Sequence, residues 1–218
     1  MYIYHHLGLG DHLICNGLVR HFAENTAVTL LTKYNNFLNV KYMYQDNLNI
    51  HIIPITEDKE ASDICGECLR CGSAINGKKY NNYLWDEIFY LDADIPFEYS
   101  WIKFNLYRNK TVEQNTYDKL TNSRPYAFIH NAGSDGVDGI NYTSIDSKLT
   151  LIKSDPSINL FAYQKILENA KEIHCINSSF IHLIDRMDLH SNIKLFYHKN
   201  FRLKPFSDFT LKKKWNII

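Results

Sequence analysis

The sequence predicts an α/β fold made of two successive parallel-sheet units, and three observations carry that expectation. Short apolar runs rich in β-branched and aromatic residues alternate with amphipathic stretches in the first half. The same order recurs in the second half, and a turn-rich break separates the two. A length of 218 residues accommodates this, since lobes of about 100 residues can each close a core. The expected division is 1–110 and 111–218.

In the first half, "YIYH" reads as a short buried strand. Residues 11–24 place Leu13, Ile14, Leu18 and Phe22 on one face of a helix. "AVTLLT" (27–32) and "NIHIIPI" (49–55) read as strands flanking a helical "YNNFLNVKYMYQ", and Pro54 closes the third strand. Residues 56–82, polar and containing Gly and Cys, read as one long loop. "EIFYLD" then reads as strand-like, running into an aromatic helix or connector.

In the second half, a helix over 111–122 ends at the "NSRP" break. "YAFIHNAG" is a strand ending in a glycine turn, "KLTLIK" a second and "KEIHCI" a third. "NLFAYQKILENA" is a helix with an asparagine cap signal, and "NSSFIHLIDRMD" is another helix. "NIKLFYH" is the last strand, and the basic "LKKKW" tail reads as a solvated terminal helix.

Lys plus Arg balance Asp plus Glu at 24 each, so no global field draws in nucleic acid or an anionic membrane. Any anion must therefore be bound locally. No run approaches the ~18 apolar residues of a membrane span, and "MYIYHH" lacks the flanks of a signal peptide, so a cytoplasmic location is expected. Five cysteines and no export signal favour thiols over disulfides. Cys65, Cys68 and Cys71 have C-x2-C-x2-C spacing, but zinc needs a fourth ligand, which His51 or Cys15 would have to supply. No metal site is expected.

The chemistry concentrates at strand-to-helix junctions. "GLGD", Gly8 to Asp11, ends a strand and opens a helix, where free N–H groups meet the positive end of the helix dipole. Asp11 opposes a phosphate there; it suits helix capping or contact with a hydroxyl that must lose its proton. A full G-x-G-x-x-G is absent, and a capped turn without ligand also fits these residues. At Asn177, Ser178 and Ser179 a strand again gives way to a helix, and here no acid intervenes before Asp185. That junction suits a diphosphate better. His182 lies one turn into the same helix, and Ser178 lacks the G-x-S-x-G setting of a hydrolytic nucleophile. His130 and Asn131 end their strand at the edge where α/β sheets bind ligands. Lys153 and Arg202 are further candidate counter-charges.

"GLGDHLICNGLVR" resembles the N-terminal motif of the heptosyltransferase-type (ADP-heptose:lipopolysaccharide) glycosyltransferases, in which Gly-x-Gly-Asp is followed nine residues later by Arg, here Asp11 and Arg20. "INSSFIHLIDRM" resembles the same family's Asp-(Ser/Thr)-Gly-x-x-His-Leu-Ala motif. Ser178, His182 and Leu183 match, Asn177 replaces the Asp and Ser179 the Gly. The resemblance implies a reduced GT-B architecture, two Rossmann-like lobes facing a cleft, working without cofactor or metal. It implies that a nucleotide diphosphate sugar binds the C-terminal lobe through His130, Asn131, Lys153, Asn177, Ser178, Ser179, His182 and Arg202. A glycan or lipid-linked acceptor would meet Gly8, Gly10, Arg20 and the catalytic Asp11. The same fold would also serve a sugar-nucleotide epimerase or hydrolase, or a non-catalytic nucleotide- or glycan-binding module.

Overall fold

The computed structural model describes residues 1–64, 66–72, 80–131, 133, 139–199 and 208–218. The chain divides into two compact units, Met1–Tyr107 with Ser207–Thr210, and Arg108–Phe206 with Leu211–Ile218.

The first unit holds a four-stranded parallel sheet of β1 (Tyr2–Tyr4), β2 (Val28–Lys33), β3 (Ile50–Ile55) and β4 (Leu69–Arg70), in the order β3-β2-β1-β4. Parallel neighbours need crossovers, and helices provide them. Between β1 and β2 run α1 (Leu9–Ile14) and α2 (Asn16–Ala23), followed later by α3 (Phe37–Met43) and α4 (Asp58–Ile64). Ile3, Leu13, Leu18, Val28, Leu30 and Leu31 are fully buried, as a sheet covered by helices requires.

The helix expected over 11–24 is broken at Cys15, and buried hydroxyls satisfy the backbone freed by the break. The Tyr90 hydroxyl donates to the Ile14 carbonyl at 2.7 Å and accepts from the Leu18 N–H at 3.2 Å, while Ser100 Oγ donates to the same carbonyl at 3.0 Å. Tyr90 and Ser100 come from α5 (Trp85–Asp92) and α6 (Tyr99–Ile102). Helix α6 approaches so closely that a Cβ on Gly17 would lie 1.9 Å from the Tyr99 carbonyl oxygen.

Two expectations are corrected in this unit. "EIFYLD" is helix α5, not strand: the Glu87 carboxylate accepts the Leu84 N–H at 2.8 Å, which starts a helix, and Ile88, Phe89 and Tyr90 are buried. The long loop contains α4 and the two-residue β4, which pairs Ile3 with Leu69.

The second unit begins with α7 (Lys110–Leu120), whose cap is Asn109, its Oδ1 accepting from Val112 N at 3.1 Å. Its five-stranded parallel sheet comprises β5 (Tyr126–His130), β6 (Thr150–Lys153), β7 (Glu172–Ile176), β8 (Lys194–His198) and β9 (Trp215–Ile217), ordered β6-β5-β7-β8-β9. Helices α8 (Gln164–Asn169) and α9 (Ser179–Arg186) precede and follow β7. The basic tail ends in strand β9, not a helix. The buried Asp185 carboxylate explains this, because it accepts the N–H groups of Lys212 and Lys213 and the Trp215 Nε1–H, each at a closest approach of 3.0 Å.

Each sheet has one topological switch point. In the first, the chain leaves β1 toward β2 and β3, whereas β4 lies on β1's other side. In the second, β5 leads outward to β6 and β7 leads the opposite way to β8. Crevices for ligands open at the carboxyl ends of such strand pairs. The loops at those ends are residues 5–8 after β1, 131 onward after β5, and 177–178 after β7.

Candidate functional site

In the first unit, the turn after β1 brings His6 and Asp11 together. His6 Nδ1 donates to Asp11 Oδ2 at 2.7 Å; the imidazole is 52% exposed and the carboxylate 14%. Gly8 makes room for this fold-back, because a Cβ there would sit 2.5 Å from Asp11 Oδ2. Gly8 is the extended residue before α1 and provides no side-chain cap, while Asp11 stands in the first helical turn. Gly10 is half-buried within that turn.

Beneath the turn, His5 and His12 are buried, their rings 4.5 Å apart edge to face. His5 Nδ1 donates to the His6 carbonyl at 2.6 Å. Burial lowers the pKa of His5 to about 4 and that of His12 well below the usual imidazole range. Both are therefore neutral packing groups at physiological pH.

The donors of Arg20, expected on the acceptor side, are engaged within the first unit. Its side chain is 10% exposed and forks onto both oxygens of Asp46, at 2.8 and 3.1 Å. Its remaining donors go to the Asn105 carbonyl at 2.7 Å and the Met43 carbonyl at 3.1 Å, and the guanidinium lies 5.4 Å from the Tyr44 ring centre. With its fork engaged in this way, Arg20 ties α2 to the chain around 43–46 and 105.

In the second unit, the switch point gathers groups from three strands. Ser178 caps α9, its Oγ accepting the Phe180 N–H at 3.2 Å. Asn177, Ser178 and Ser179 are half-buried, and the first turn of α9 contains no acid. Phe180 lies under the His130 ring at 4.4 Å, joining the end of β5 to the start of α9. His130 Nδ1 shares a 2.8 Å hydrogen bond with Ser154 Oγ, just after β6. Asn131 Nδ2 donates to the Tyr142 hydroxyl at 3.5 Å, and Lys153 Nζ lies 4.9 Å from the Tyr142 ring centre. Six of the eight expected donor-side residues therefore line one sheet edge: His130, Asn131, Lys153, Asn177, Ser178 and Ser179.

His182 lies inside the second unit. It is 3% exposed, and burial together with Arg186 holds its pKa well below the ordinary range. Arg202 lies outside the described residues, as does Cys65. Cys71 is fully buried and its thiol is pushed up to about 12, chiefly by burial and then by Asp92. His51 sits on β3, the edge of the sheet opposite β4, and so is remote from Cys68 and Cys71. Among the described residues no group of three or more His, Cys, Asp and Glu is placed to hold a metal.

The sequence reading passes over His6, Ser154, Tyr142 and Phe180. His6 had a local signal, a polar ring between a strand and a glycine turn. Ser154 joins the site through the pairing of β5 with β6, Tyr142 through its contacts with Asn131 and Lys153, and Phe180 by following Ser179 in the first turn of α9.

No protein-family model and no curated protein matches the sequence. Among solved structures, a family 9 glycosyl transferase from Veillonella parvula aligns over 100% of this chain and 85% of its own, at TM-score 0.58 and 10% identity. The ADP-heptose LPS heptosyltransferase II of E. coli aligns over 100% of this chain and 89% of its own, at TM-score 0.56 and 9% identity. The chain thus has the fold of these heptosyltransferase-type glycosyltransferases, two α/β units each built on a parallel sheet, of the GT-B type.

Proposed function

We propose that the protein is a glycosyltransferase that moves a sugar from a nucleoside diphosphate sugar to a hydroxyl of a glycan or lipid-linked acceptor without a metal ion. The observation that carries this reading is the opposite polarity of the two switch points. The first presents an acid and an imidazole, suited to taking a proton from an acceptor hydroxyl. The second presents a helix N-terminus free of acid in its first turn, with hydroxyl and amide side chains around it, suited to a diphosphate. Ser178 Oγ accepts from the backbone and so keeps its own O–H to donate to a phosphate oxygen. His130, Asn131 and Lys153 would orient and neutralise the same group. Asp11 would act on the acceptor hydroxyl, as its base or as the group that positions it.

The test is a thermal-shift screen of the full chain against nucleoside diphosphates and their sugars. A ligand at 100 times its dissociation constant stabilises by about 2.7 kcal/mol, a shift read directly as melting temperature. One nucleoside diphosphate series should stand out, and Ser178→Ala should weaken it. A screen in which none shifts the protein sinks the reading. No helix among the described residues is long and apolar enough to cross a membrane, so the assay can begin in detergent-free buffer.

A further inference from the structure

We propose that Tyr34 is the platform on which a sugar ring of the acceptor stacks, so that the acceptor is a glycan held by the face of a pyranose; this rests on the glycosyltransferase reading above. Exposure is the first observation. Tyr34 is 74% exposed, more than any other Tyr, Phe or Trp among the described residues, whereas Tyr4, Tyr44 and Tyr90 of the same unit are buried. A single exposed ring calls for no ligand by itself, and its place in the fold decides.

That place is the edge of the sheet where the candidate acceptor junction lies. Strands β1 and β2 are parallel neighbours with Ile3 paired to Leu30, so residues 5–8 and Tyr34–Asn36 leave the same edge from strands about 4.8 Å apart. Lys33 is still extended, and Tyr34–Asn36 then form a 3₁₀ turn. Asn36 Nδ2 donates to the Leu7 carbonyl at 3.1 Å, which ties this turn to the one that carries His6 and Gly8. Gly8 in its turn packs against the Asp11 carboxylate. Tyr34 thus stands two residues from a hydrogen bond to the junction that would receive the acceptor hydroxyl.

Chemistry selects the occupant. The C–H bonds on one face of a pyranose pack on the negative face of an aromatic ring, while the sugar's hydroxyls need donors and acceptors around it. Tyr34 supplies the ring and a phenolic O–H, and the exposed Asn35 beside it supplies an amide that both donates and accepts. An acyl chain needs a continuous apolar surface instead. Leu38, 73% exposed and four positions on, would extend one, but the chain neighbours of Tyr34 are Lys33, Asn35 and Asn36, whose polar groups an acyl chain would leave without partners.

The experiment measures nucleoside diphosphate release by the full chain from ADP-, GDP-, UDP- and dTDP-sugars, with free oligosaccharides and their alkyl glycosides as acceptors. Tyr34→Ala should raise the acceptor KM by roughly 5–10-fold, the scale of one aromatic contact, and leave the donor KM, kcat at saturating acceptor and the melting temperature unchanged. Tyr34→Phe keeps the ring and should stay within about twofold of wild type, and Leu38→Ala should match wild type. In saturation-transfer NMR, the C–H protons of one acceptor sugar should receive saturation from the wild type and lose it in Tyr34→Ala. An unchanged acceptor KM in Tyr34→Ala, or a KM that falls with alkyl chain length and rises only in Leu38→Ala, would overturn the proposal while the glycosyltransferase reading stands. No release from any donor by the wild type would bring down that reading and this proposal together.

Discussion

In the first unit the chain leaves β1 through residues 5–8 into a six-residue helix whose first turn carries Asp11. In the second it leaves β7 through Asn177 and Ser178 into an eight-residue helix whose first turn carries no acid. Both junctions lie where their sheet reverses its direction of growth, so topology gives them the same opportunity. The side chains then use it differently. Asp11 cancels the attraction of a helix N-terminus for anions, and the helix has no side-chain cap to compensate. Ser178 satisfies one backbone N–H and leaves the dipole unopposed. The difference teaches that a glycine or serine turn at a sheet edge specifies a place, and that the local charge specifies what can occupy it.

The largest expected effect breaks the first junction alone. Asp11→Asn removes the carboxylate proposed to act on the acceptor hydroxyl, as its base or as the group that positions it, and keeps the side chain's size. Steady-state assays should show kcat lowered by roughly 10²–10⁴-fold, with the thermal shift produced by the nucleoside diphosphate unchanged. Weakened nucleotide binding in this variant would mean that the two junctions do not divide acceptor from donor.

Next comes the scaffold of the first junction. Arg20→Leu removes the partner of Asp46 and two ties to backbone carbonyls, those of Asn105 and Met43. Breaking a largely buried pair costs about 3 kcal/mol, less here to the extent that Asp46, 29% exposed, regains water. Urea unfolding should show that loss, with KM for acceptor unchanged at temperatures where the variant is folded. A raised acceptor KM without lost stability would return Arg20 to the binding surface.

A comparison of acid sensitivity sharpens the contrast between the units. Buried histidines are neutral in both, His5 and His12 in the first and His174, His182 and His198 in the second. In the second unit a directed chain links two of them, His198 and His174: Asn141 N–H donates to His198 Nδ1 at 3.0 Å, His198 Nε2 to His174 Nδ1 at 3.0 Å, and His174 Nε2 faces Glu172 at 3.4 Å. Each folded-state pKa is depressed, to about 4 for His5 and His198, chiefly by burial. The unfolded chain therefore binds more protons below about pH 6.5, and stability falls as pH drops from there toward 4. Melting curves at pH 7.5 and 4.5 should show it. His198→Gln should flatten the acid loss only for the second unit, read by hydrogen exchange on β7 and β8. Equal flattening on β1 and β2 would contradict independent titration.

How much of this was legible in the sequence follows from range. Alternating apolar runs such as "AVTLLT" and "YAFIH" announce β2 and β5 because a strand buried on both faces must be apolar. The start of α9 at Asn177 to Ser179 was legible because helix starts are marked locally, although the cap role of Ser178 was not read there. Helix α5 was misread because its run "EIFYL" is apolar on too many faces for a period to show, and only the Glu87 bond to Leu84 settles it. Strand β9 depends on Asp185, about 30 residues away, and the engagement of Arg20 depends on Asp46 and Asn105. Those partners have no signature near the residue they capture. The burial of His182 was not legible for a related reason: its spacing places it on α9, and only the folded unit shows that it faces inward.

The smallest effect separates two roles of one hydroxyl. Ser178 caps α9 through Phe180 N–H, and loss of such a cap to alanine costs about 1 kcal/mol, whereas glycine costs only a few tenths. Ser178→Ala and Ser178→Gly should therefore differ in unfolding free energy. Both lack the O–H proposed to reach a phosphate oxygen, so both should weaken nucleoside diphosphate binding to a similar extent in isothermal titration. If affinity instead follows stability, with Gly near wild type and Ala weaker, the hydroxyl serves the helix and not the ligand. The anion would then be held by the backbone N–H groups and the dipole of α9, and the contrast with Asp11 would rest on electrostatics alone.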